Sequence, residues 1–195
     1  MPITERINAL FNDKATRKIL VRLRGFIVVL LLASILPFID RDRLPLAFAV
    51  SLLGEFGQLW CFASLNKKKD LAANGPYALV RNPMYLARYL IVFGFVLLLG
   101  DPGLWIALPY TVIYGFYMVN RVRREEAVLK RIFGASYAAY CNRVNRFLPK
   151  LSGSPKSALL FWDFALLKQN NGYLNLVGLL AGYAVIFAAS SWLAG

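Results

Sequence analysis

The feature that most constrains this chain is a set of long segments that carry almost no charge. Residues 103–120 and 172–195 contain no charged side chain, and residues 44–65 contain one, Glu55. Each segment is close to the roughly 20 residues that an α-helix needs to cross the hydrocarbon core of a bilayer. A composition that is 58% hydrophobic is also more apolar than a soluble domain needs. The sequence therefore predicts a polytopic integral membrane protein of the all-α class.

Two shorter apolar segments complete the predicted helix bundle. Residues 25–39 can be extended by the preceding residues, whose arginines are able to reach back to the interface, and residues 84–99 hold a single charge, Arg88. The first residues of the chain are too polar for a cleaved signal peptide, so the first span is expected to remain. We predict about five transmembrane helices, a cytoplasmic helical segment after the fourth, and an interfacial helix over residues 154–168.

These elements divide the chain into three regions. Residues 1–65 form an N-terminal region with two predicted spans. Residues 66–150 hold two further spans and the polar motifs described below. Residues 151–195 hold the interfacial helix and the last span.

The basic residues predict how the bundle is oriented. Twenty of the 23 Lys and Arg residues lie before span one, between spans two and three, or between spans four and five. Since basic residues collect in cytoplasmic loops, the N-terminus is expected in the cytoplasm and the C-terminus on the other side. A bacterial inner membrane or the endoplasmic reticulum would suit this multi-pass arrangement.

The net charge of +13 and the absence of histidine limit the possible functions. The basic residues follow the predicted topology, so they favour anionic membrane lipids as partners, and no nucleic-acid partner is predicted. Without histidine, the usual general base and a common zinc ligand are missing, and the two cysteines, Cys61 and Cys141, fall in different segments. No metal site is predicted. Chemistry must come from carboxylates, tyrosines, arginines or a reactive cofactor.

Two polar segments lie where predicted spans meet the cytoplasmic surface. NGPYALVRNPMYLARYL, residues 74–90, places a turn and an Arg-Asn-Pro corner at the start of span three. NRVRREEAVLKRIF, residues 120–133, continues span four with apolar residues close to helical spacing. Within it, Arg121 and Glu125 share a helix face, which alone is typical of an ordinary surface ion pair. Because a short loop makes spans three and four neighbours, the two polar segments are expected to meet.

The same segments carry a resemblance to a known family. GPYALVRNPMYLA and the later REEAVLKRIFGASYAAYCNRVNRFLP resemble motifs of the isoprenylcysteine carboxyl methyltransferase family and of its relatives, the phospholipid N-methyltransferases. The resemblance covers residues 74–149 in order. It implies a membrane-embedded methyltransferase that binds S-adenosyl-L-methionine at the cytoplasmic face without a Rossmann domain. The chain agrees in having no Gly-rich dinucleotide motif between a strand and a helix.

The resemblance also implies roles for individual residues. A sulfonium methyl donor is a cation that also carries an amino acid head, so carboxylates, a cationic group and aromatic faces suit its binding. Arg121 would orient the acceptor, and Arg121 and Glu125 are the predicted catalytic residues. The predicted cofactor pocket is lined by Tyr77, Arg81, Asn82, Pro83, Tyr85, Glu125 and Glu126.

Two positions depart from the family pattern. Asn82 stands where the best-known members have histidine, and Ala87 replaces a glycine. Asn82 keeps the capacity for hydrogen bonding but has no role in proton transfer. We expect methyl transfer to tolerate asparagine at position 82, since the cofactor supplies the reactivity and positioning supplies much of the catalysis.

Several alternatives remain open at this level. Sterol reductases, which use NADPH, resemble the same fold, and a non-catalytic membrane subunit would retain the corner for packing. The acceptor can be a prenylated cysteine carboxylate, a phospholipid amine or a small thiol. Glu55 is a functional candidate or a simple partner of Arg88. Gly178 and Gly182 form a GxxxG pair that can pack helices or the protomers of a homo-oligomer.

Overall fold

A computed structural model of the protein describes residues 14–66, 70–149 and 156–193. Within these ranges the chain forms helices and connecting turns and contains no strand, which confirms the all-α prediction. Short 3₁₀ turns occupy Leu36–Phe38, Arg41–Arg43 and Gly75–Ala78. The α-helices are α1 (Lys14–Ile35), α2 (Leu44–Phe62), α3 (Pro83–Leu97), α4 (Gly100–Arg143), α5 (Lys156–Leu159), α6 (Phe164–Gln169) and α7 (Gly172–Leu193).

Helices occur at all five predicted spans. By length and composition, three of them are able to cross a membrane: Arg41–Phe62, Gly100–Arg143 and Gly172–Trp192. Gly25–Phe38 and Pro83–Leu97 are apolar but shorter. The long apolar helices make this a membrane protein.

Small residues bring α2 and α3 into close contact. A Cβ atom added to Gly54 of α2 would lie 2.6 Å from the backbone oxygen of Ala87 in α3. A Cβ atom on Gly94 of α3 would overlap the hydroxyl of Ser51 in α2. Small side chains at such positions allow the backbones of membrane helices to approach closely. This packing fixes α3, and with it the polar corner at its start, against α2.

Helix α7 completes the bundle by packing against α2. Tyr183 of α7 is buried, and its hydroxyl donates to the backbone oxygen of Ala47 at 2.9 Å. The same hydroxyl lies 2.8 Å from Ser51 Oγ. These hydrogen bonds satisfy the polar groups inside an apolar cluster whose other buried members are Leu98, Leu179 and Ile186.

At one end of the bundle, the connection between α1 and α2 meets the connection between α3 and α4. Arg43 Nη2 lies 2.6 Å from Asp101 Oδ1, and Arg43 Nε lies 3.1 Å from Asp40 Oδ2. The backbone N–H of Asp40 also donates to Leu98 O at 2.8 Å. Both connections thus lie at the same end, as predicted. Which side of the membrane this end faces stays a prediction.

Helix α4 bends at Gly134. This residue has φ 49° and ψ −120°, a backbone conformation that is open to glycine and strained for other residues. The sequence predicts that a helix ends here and a shorter one follows. In the structure the second limb follows the bend directly and continues to Arg143, with Tyr137 and Tyr140 buried.

The segment after residue 155 differs from the single interfacial helix predicted over residues 154–168. It forms two short helices, α5 and α6, and residues 154 and 155 lie outside the described ranges. Asp163, expected in the middle of the helix, is the N-cap of α6 and accepts from the backbone N–H groups of Ala165 and Leu166 at 2.7 and 3.2 Å. An aspartate in this position begins a helix because its side chain accepts from the free N–H groups of the first turn.

Candidate functional site

The bend in α4 folds the second polar segment over the first. The backbone N–H of Arg81 donates to Asn145 O at 2.8 Å. The hydroxyl of Tyr140, on the second limb of α4, donates to Tyr77 O at 2.7 Å. The predicted meeting of the two segments is observed in the hydrogen bond from the Tyr85 hydroxyl to Glu125 at 2.9 Å and in the ion pair of Arg81 with Glu126 at 3.3 Å. It occurs at the end of the bundle where α3 begins.

Helix α3 begins at Pro83, as the sequence corner suggests. Pro83 occupies the first helical turn, where a missing N–H costs nothing. Asn82 is the N-cap residue, but its side chain does not cap the helix. Instead its amide donates to Glu126 Oε1 at 3.4 Å and to Arg146 O at 3.3 Å. Asn82 thus ties the corner to α4 and does not cap the first N–H groups of α3, which have no side-chain partner among the described residues.

Glu126 is enclosed by positively charged side chains. Arg146 Nη2 lies 2.6 Å from Glu126 Oε2, and Arg81 Nε lies 3.3 Å from Glu126 Oε1 without hydrogen-bond alignment. The Glu126 side chain is only 11% exposed. The hydrogen bond that Arg146 donates to Glu126 raises the pKa of Arg146. The Glu126 carboxylate therefore already has partners from both polar segments.

Glu125 has a different environment from its neighbour. Its Oε1 accepts from the Tyr85 hydroxyl at 2.9 Å and from Arg121 Nε at 3.0 Å. The contact with Arg121 confirms the predicted i, i+4 pair. The contact with Tyr85 joins this pair to α3. Because the Glu125 side chain is 43% exposed, its carboxylate has room for a further partner.

Tyr77 lies beneath this cluster. It is buried on the 3₁₀ turn, and burial raises the pKa of its hydroxyl well above the ordinary value. The contacts that hold it involve its backbone, which donates to Asn74 O at 3.2 Å and accepts from Tyr140. Among the described residues, no hydrogen bond joins the Tyr77 hydroxyl to Glu125 or Glu126. The structure thus brings the other predicted site residues together and places Tyr77 as a buried support.

A cavity of about 480 Å³ adjoins the cluster on the membrane side. Tyr85 is part of its wall and also donates to Glu125, so one side chain belongs to both the polar cluster and the cavity. The cavity lies between α2, α3, α4 and α7 and has mainly apolar walls. Its lining includes Gln58, Ile91, Val92, Phe95, Tyr114 and Leu174.

Sequence reasoning did not assign a role to Arg146, although this residue holds Glu126 at 2.6 Å. It lies in the quoted segment that ends in NRFLP, just after α4. Two adjacent carboxylates facing several arginines would have been a signal to look for a second cation near Glu126. The position of Arg146 depends on the bend at Gly134, which local spacing does not specify.

Comparison with known proteins agrees with the resemblance seen in the motifs. Residues 47–136 match the model of a family described as phospholipid methyltransferase. This range includes α2, α3 and the first limb of α4. It therefore contains Arg81, Asn82, Tyr85, Arg121, Glu125 and Glu126.

The chain is similar to three curated proteins. The cobalt-zinc-cadmium resistance protein CzcN of Cupriavidus metallidurans is 30% identical over 116 residues, 55% of this chain and 51% of that protein. The nickel-cobalt-cadmium resistance protein NccN of Alcaligenes xylosoxydans xylosoxydans is 30% identical over 49% of this chain and 45% of its own length. The protein-S-isoprenylcysteine O-methyltransferase of Schizosaccharomyces pombe is 32% identical over 43% of this chain and 35% of its own length.

The chain thus spans about half the length, or less, of the curated relatives it matches. No solved structure matches it at a significant level. The family match nevertheless includes the corner before α3 and the part of α4 that carries Arg121, Glu125 and Glu126. Residues 47–136 thus match the phospholipid methyltransferase family model, which confirms the resemblance to the membrane methyltransferases related to isoprenylcysteine carboxyl methyltransferase.

Proposed function

We propose that this protein is an S-adenosyl-L-methionine-dependent methyltransferase that acts on a lipid-soluble or amphiphilic acceptor at the cytoplasmic face of its membrane. The observation that carries the proposal is the convergence of two polar segments on one half-exposed carboxylate. Glu125 lies between Tyr85 at the start of α3 and Arg121 of α4. The match to the phospholipid methyltransferase family covers both segments.

The side chains at the site suit the charges that this cofactor carries. The exposed carboxylate of Glu125 fits a cationic group of the ligand, its ammonium or its sulfonium. Arg81 and Arg146 together carry one more charge than Glu126 neutralises, so they fit the carboxylate of the ligand. The free N–H groups at the start of α3 favour the same anionic group. When bound, S-adenosyl-L-methionine would supply the activated methyl group.

Glu126 has a different role in this proposal from the cofactor contact expected from the sequence. Its carboxylate is enclosed, and it already accepts from Arg146 and Asn82 and pairs with Arg81. We assign it to positioning, because it joins the corner before α3 to the segment after α4. Glu125 keeps the role of direct contact with the cofactor.

The residues of the site support methyl transfer by position more than by proton chemistry. The Glu125 carboxylate fixes the Tyr85 hydroxyl and the Arg121 guanidinium relative to each other. Arg121 would then orient the acceptor, while Tyr85 would lie at the boundary where the cofactor site meets the cavity. Holding two reactants in alignment supplies much of the rate acceleration in a displacement of this kind.

The cytoplasmic location is part of the proposal. The polar cluster lies near two basic segments, one before α3 and one that begins within α4. Basic residues favour the cytoplasmic face of a membrane. The cluster formed by Arg43, Asp40 and Asp101 lies at the other end of α2 and α3. In this orientation a water-soluble cofactor would reach the polar cluster directly from the cytoplasm.

The experiment compares membranes with and without the protein after incubation with methyl-labelled S-adenosyl-L-methionine, followed by analysis of the lipid extract. We expect label in at least one apolar product only when the protein is present, and less product with Glu125→Gln. An equal pattern in both membranes contradicts the proposed activity. Binding of NADPH with no binding of S-adenosylhomocysteine would instead support the reductase alternative.

A further inference from the structure

The cavity between α2, α3, α4 and α7 has one polar region and one apolar region. Glu55, Gln58 and Arg88 supply charged and polar groups to its wall. The remaining wall is formed mainly by apolar and aromatic side chains, among them Ile91, Val92, Phe95, Leu174 and Leu179. A volume of about 480 Å³ is within the range of sites that bind one small organic molecule. The walls thus match an amphiphile of limited size.

Glu55 is the feature of this cavity that most needs explanation. Its side chain is 1% exposed, and its Oε1 has no hydrogen-bond partner among the described residues. The sequence suggests Arg88 as a partner, but this pairing is wrong. Arg88 Nε donates to Gln58 Oε1 at 3.2 Å, and Arg88 Nη2 lies 3.2 Å from the sulfur of Met84. Buried polar oxygens in proteins nearly always have a donor, so an unpartnered one in a cavity wall indicates a ligand that supplies it.

The cavity also reaches the polar cluster proposed to hold the cofactor. Tyr85 lines the cavity, and its hydroxyl donates to Glu125 at 2.9 Å. Tyr114, from α4, lines the cavity and donates to the backbone oxygen of Tyr85 at 2.8 Å. A molecule in the cavity would therefore lie against the same tyrosine that contacts the cofactor site.

We infer that this cavity is the acceptor site and that Glu55 binds a head group with an N–H, O–H or S–H bond on a single-chain amphiphile. The inference rests on the proposed methyltransferase function and narrows its substrate class. A carboxylate head group fits this contact less well, because two ionised carboxylates repel each other in a poorly hydrated site. The volume of about 480 Å³ between the walls suits a head group with one chain better than one with two.

The reaction balances with such an acceptor. The nitrogen, oxygen or sulfur of the head group forms a bond to the methyl carbon, and the bond between that carbon and the sulfonium sulfur breaks with its electron pair left on sulfur. The proton of the head group leaves, and the Glu55 carboxylate would accept it, because Glu55 is the carboxylate among the residues that line the cavity. In a chain without histidine, a carboxylate is a suitable group for this step.

Two glycines on α7 provide a matched test of the cavity. A Cβ atom added to Gly178 or to Gly182 meets nothing within 4 Å, so both positions accept a side chain. Gly178 lines the cavity, whereas Gly182, one turn further along the same helix, is not part of its lining. Gly178→Leu should fill the cavity, and Gly182→Leu is the control with the same change in composition.

The experiment measures binding of labelled dodecylamine to the full protein in lipid nanodiscs, with dodecanoate and dodecyltrimethylammonium as competitors. Dodecylamine has donor N–H groups, the trimethylammonium probe has the charge without a donor, and dodecanoate is the carboxylate. We expect unlabelled dodecylamine to compete best. Gly178→Leu should reduce dodecylamine binding at least tenfold and Glu55→Gln about tenfold, while Gly182→Leu leaves it unchanged. Binding of S-adenosylhomocysteine is measured on the same samples and should survive all three changes.

The outcomes distinguish a failure of the acceptor-site inference from a failure of the proposed methyltransferase function. Equal dodecylamine binding by Gly178→Leu and Gly182→Leu overturns the cavity as the site. Stronger competition by dodecanoate, or an unchanged affinity in Glu55→Gln, overturns the role of Glu55. If S-adenosylhomocysteine binds but the cavity variants have no effect, this inference fails and the methyltransferase proposal remains. If the variants behave as expected and S-adenosylhomocysteine does not bind, the methyltransferase proposal fails and the amphiphile site remains.

Discussion

Glu125 and Glu126 are adjacent in the sequence but have different surroundings in the structure. Glu126 is 11% exposed and is held by two arginines, while Glu125 is 43% exposed and contacts Tyr85 and Arg121. One residue of helix rotates a side chain by about a quarter turn, which is enough to give the two carboxylates different partners. We therefore propose that Glu126 positions the two segments and that Glu125 contacts the ligand.

The first prediction concerns Glu126. Glu126→Gln removes the negative charge between Arg81 and Arg146 and leaves the largely buried Arg81 without a counter-charge. Breaking a buried ion pair in this way typically costs about 3 kcal/mol or more. We expect the free energy of unfolding in mixed micelles to fall by roughly that amount, whereas Glu125→Gln, the adjacent control, changes it by less than about 1 kcal/mol. Equal destabilisation by the two variants contradicts the division of roles.

The second prediction concerns Asn82, which replaces the histidine of the best-known relatives. Its two hydrogen bonds, of 3.4 and 3.3 Å, tie the corner to Glu126 and to the backbone of Arg146. Asn82→Leu should reduce stability by about 1 kcal/mol through the loss of these bonds. Asn82→His should leave the dependence of turnover on pH without a new inflection near 6.5, where imidazole titrates. A large gain in rate with a new titration step would show that this position transfers a proton.

Some residue contacts could be predicted from the sequence and others could not. The Arg121–Glu125 pair follows from helical spacing, and it is present at 3.0 Å. The Glu55–Arg88 pair was equally plausible from residue type, yet Arg88 contacts Gln58 instead. Within a helix, the spacing of two residues fixes their relative direction. Between helices, the contact depends on packing that local sequence does not specify.

At the scale of helices, the bend in α4 assembles the site. Arg81 and Asn145 lie far apart in sequence, and their backbone hydrogen bond of 2.8 Å forms because the second limb of α4 turns back at Gly134. The sequence predicts an interruption at this glycine but not its direction. The sequence also predicts one interfacial helix, whereas the described residues form α5 and α6. The apolar pattern looks continuous, but the Asp163 side chain caps the start of a new helix.

The third prediction tests this bend. Gly134→Ala should cost about 1 to 3 kcal/mol of stability, because a side chain is strained at φ 49° and ψ −120°. Apart from the local backbone, no atom of the described residues lies within 4 Å of the added Cβ, so the effect is one of backbone conformation. Gly115→Ala is the control, since Gly115 lies in the same helix, has equally open surroundings and no positive φ. Chemical denaturation in micelles would measure both variants, and equal stability of the two would contradict the role of the bend.

At the scale of the whole molecule, the distribution of charge predicts the orientation of the site. The all-α class and the positions of the five apolar segments could be predicted from the sequence, because length and hydrophobicity alone determine which segments suit a bilayer. The side of the membrane that each end faces depends on the basic loops. The cavity could not be predicted, since it is formed by residues of four different helices.

The fourth prediction places the polar cluster in the cytoplasm. In a Cys141→Ser background, with Cys61 buried, Asn74→Cys should be labelled by an impermeant thiol reagent only from the cytoplasmic side. Asp42→Cys, an exposed position in the connection at the other end, is the control and should be labelled only from the opposite side. Labelling with the two sides exchanged would contradict the proposed orientation and the access of a cytoplasmic cofactor.

The central claim is that the segments around Tyr85 and Glu125 form one binding site for S-adenosyl-L-methionine. Calorimetry of S-adenosylhomocysteine with the purified protein in detergent tests it most directly. We predict saturable binding, weakened roughly tenfold in Glu125→Gln through the loss of a charge-assisted hydrogen bond of about 1.5 kcal/mol. Arg131→Gln, which changes an exposed charge on α4 that helical spacing directs away from both Glu125 and Glu126, should leave the affinity unchanged. No binding, or equal affinities for the protein and Glu125→Gln, would contradict the claim.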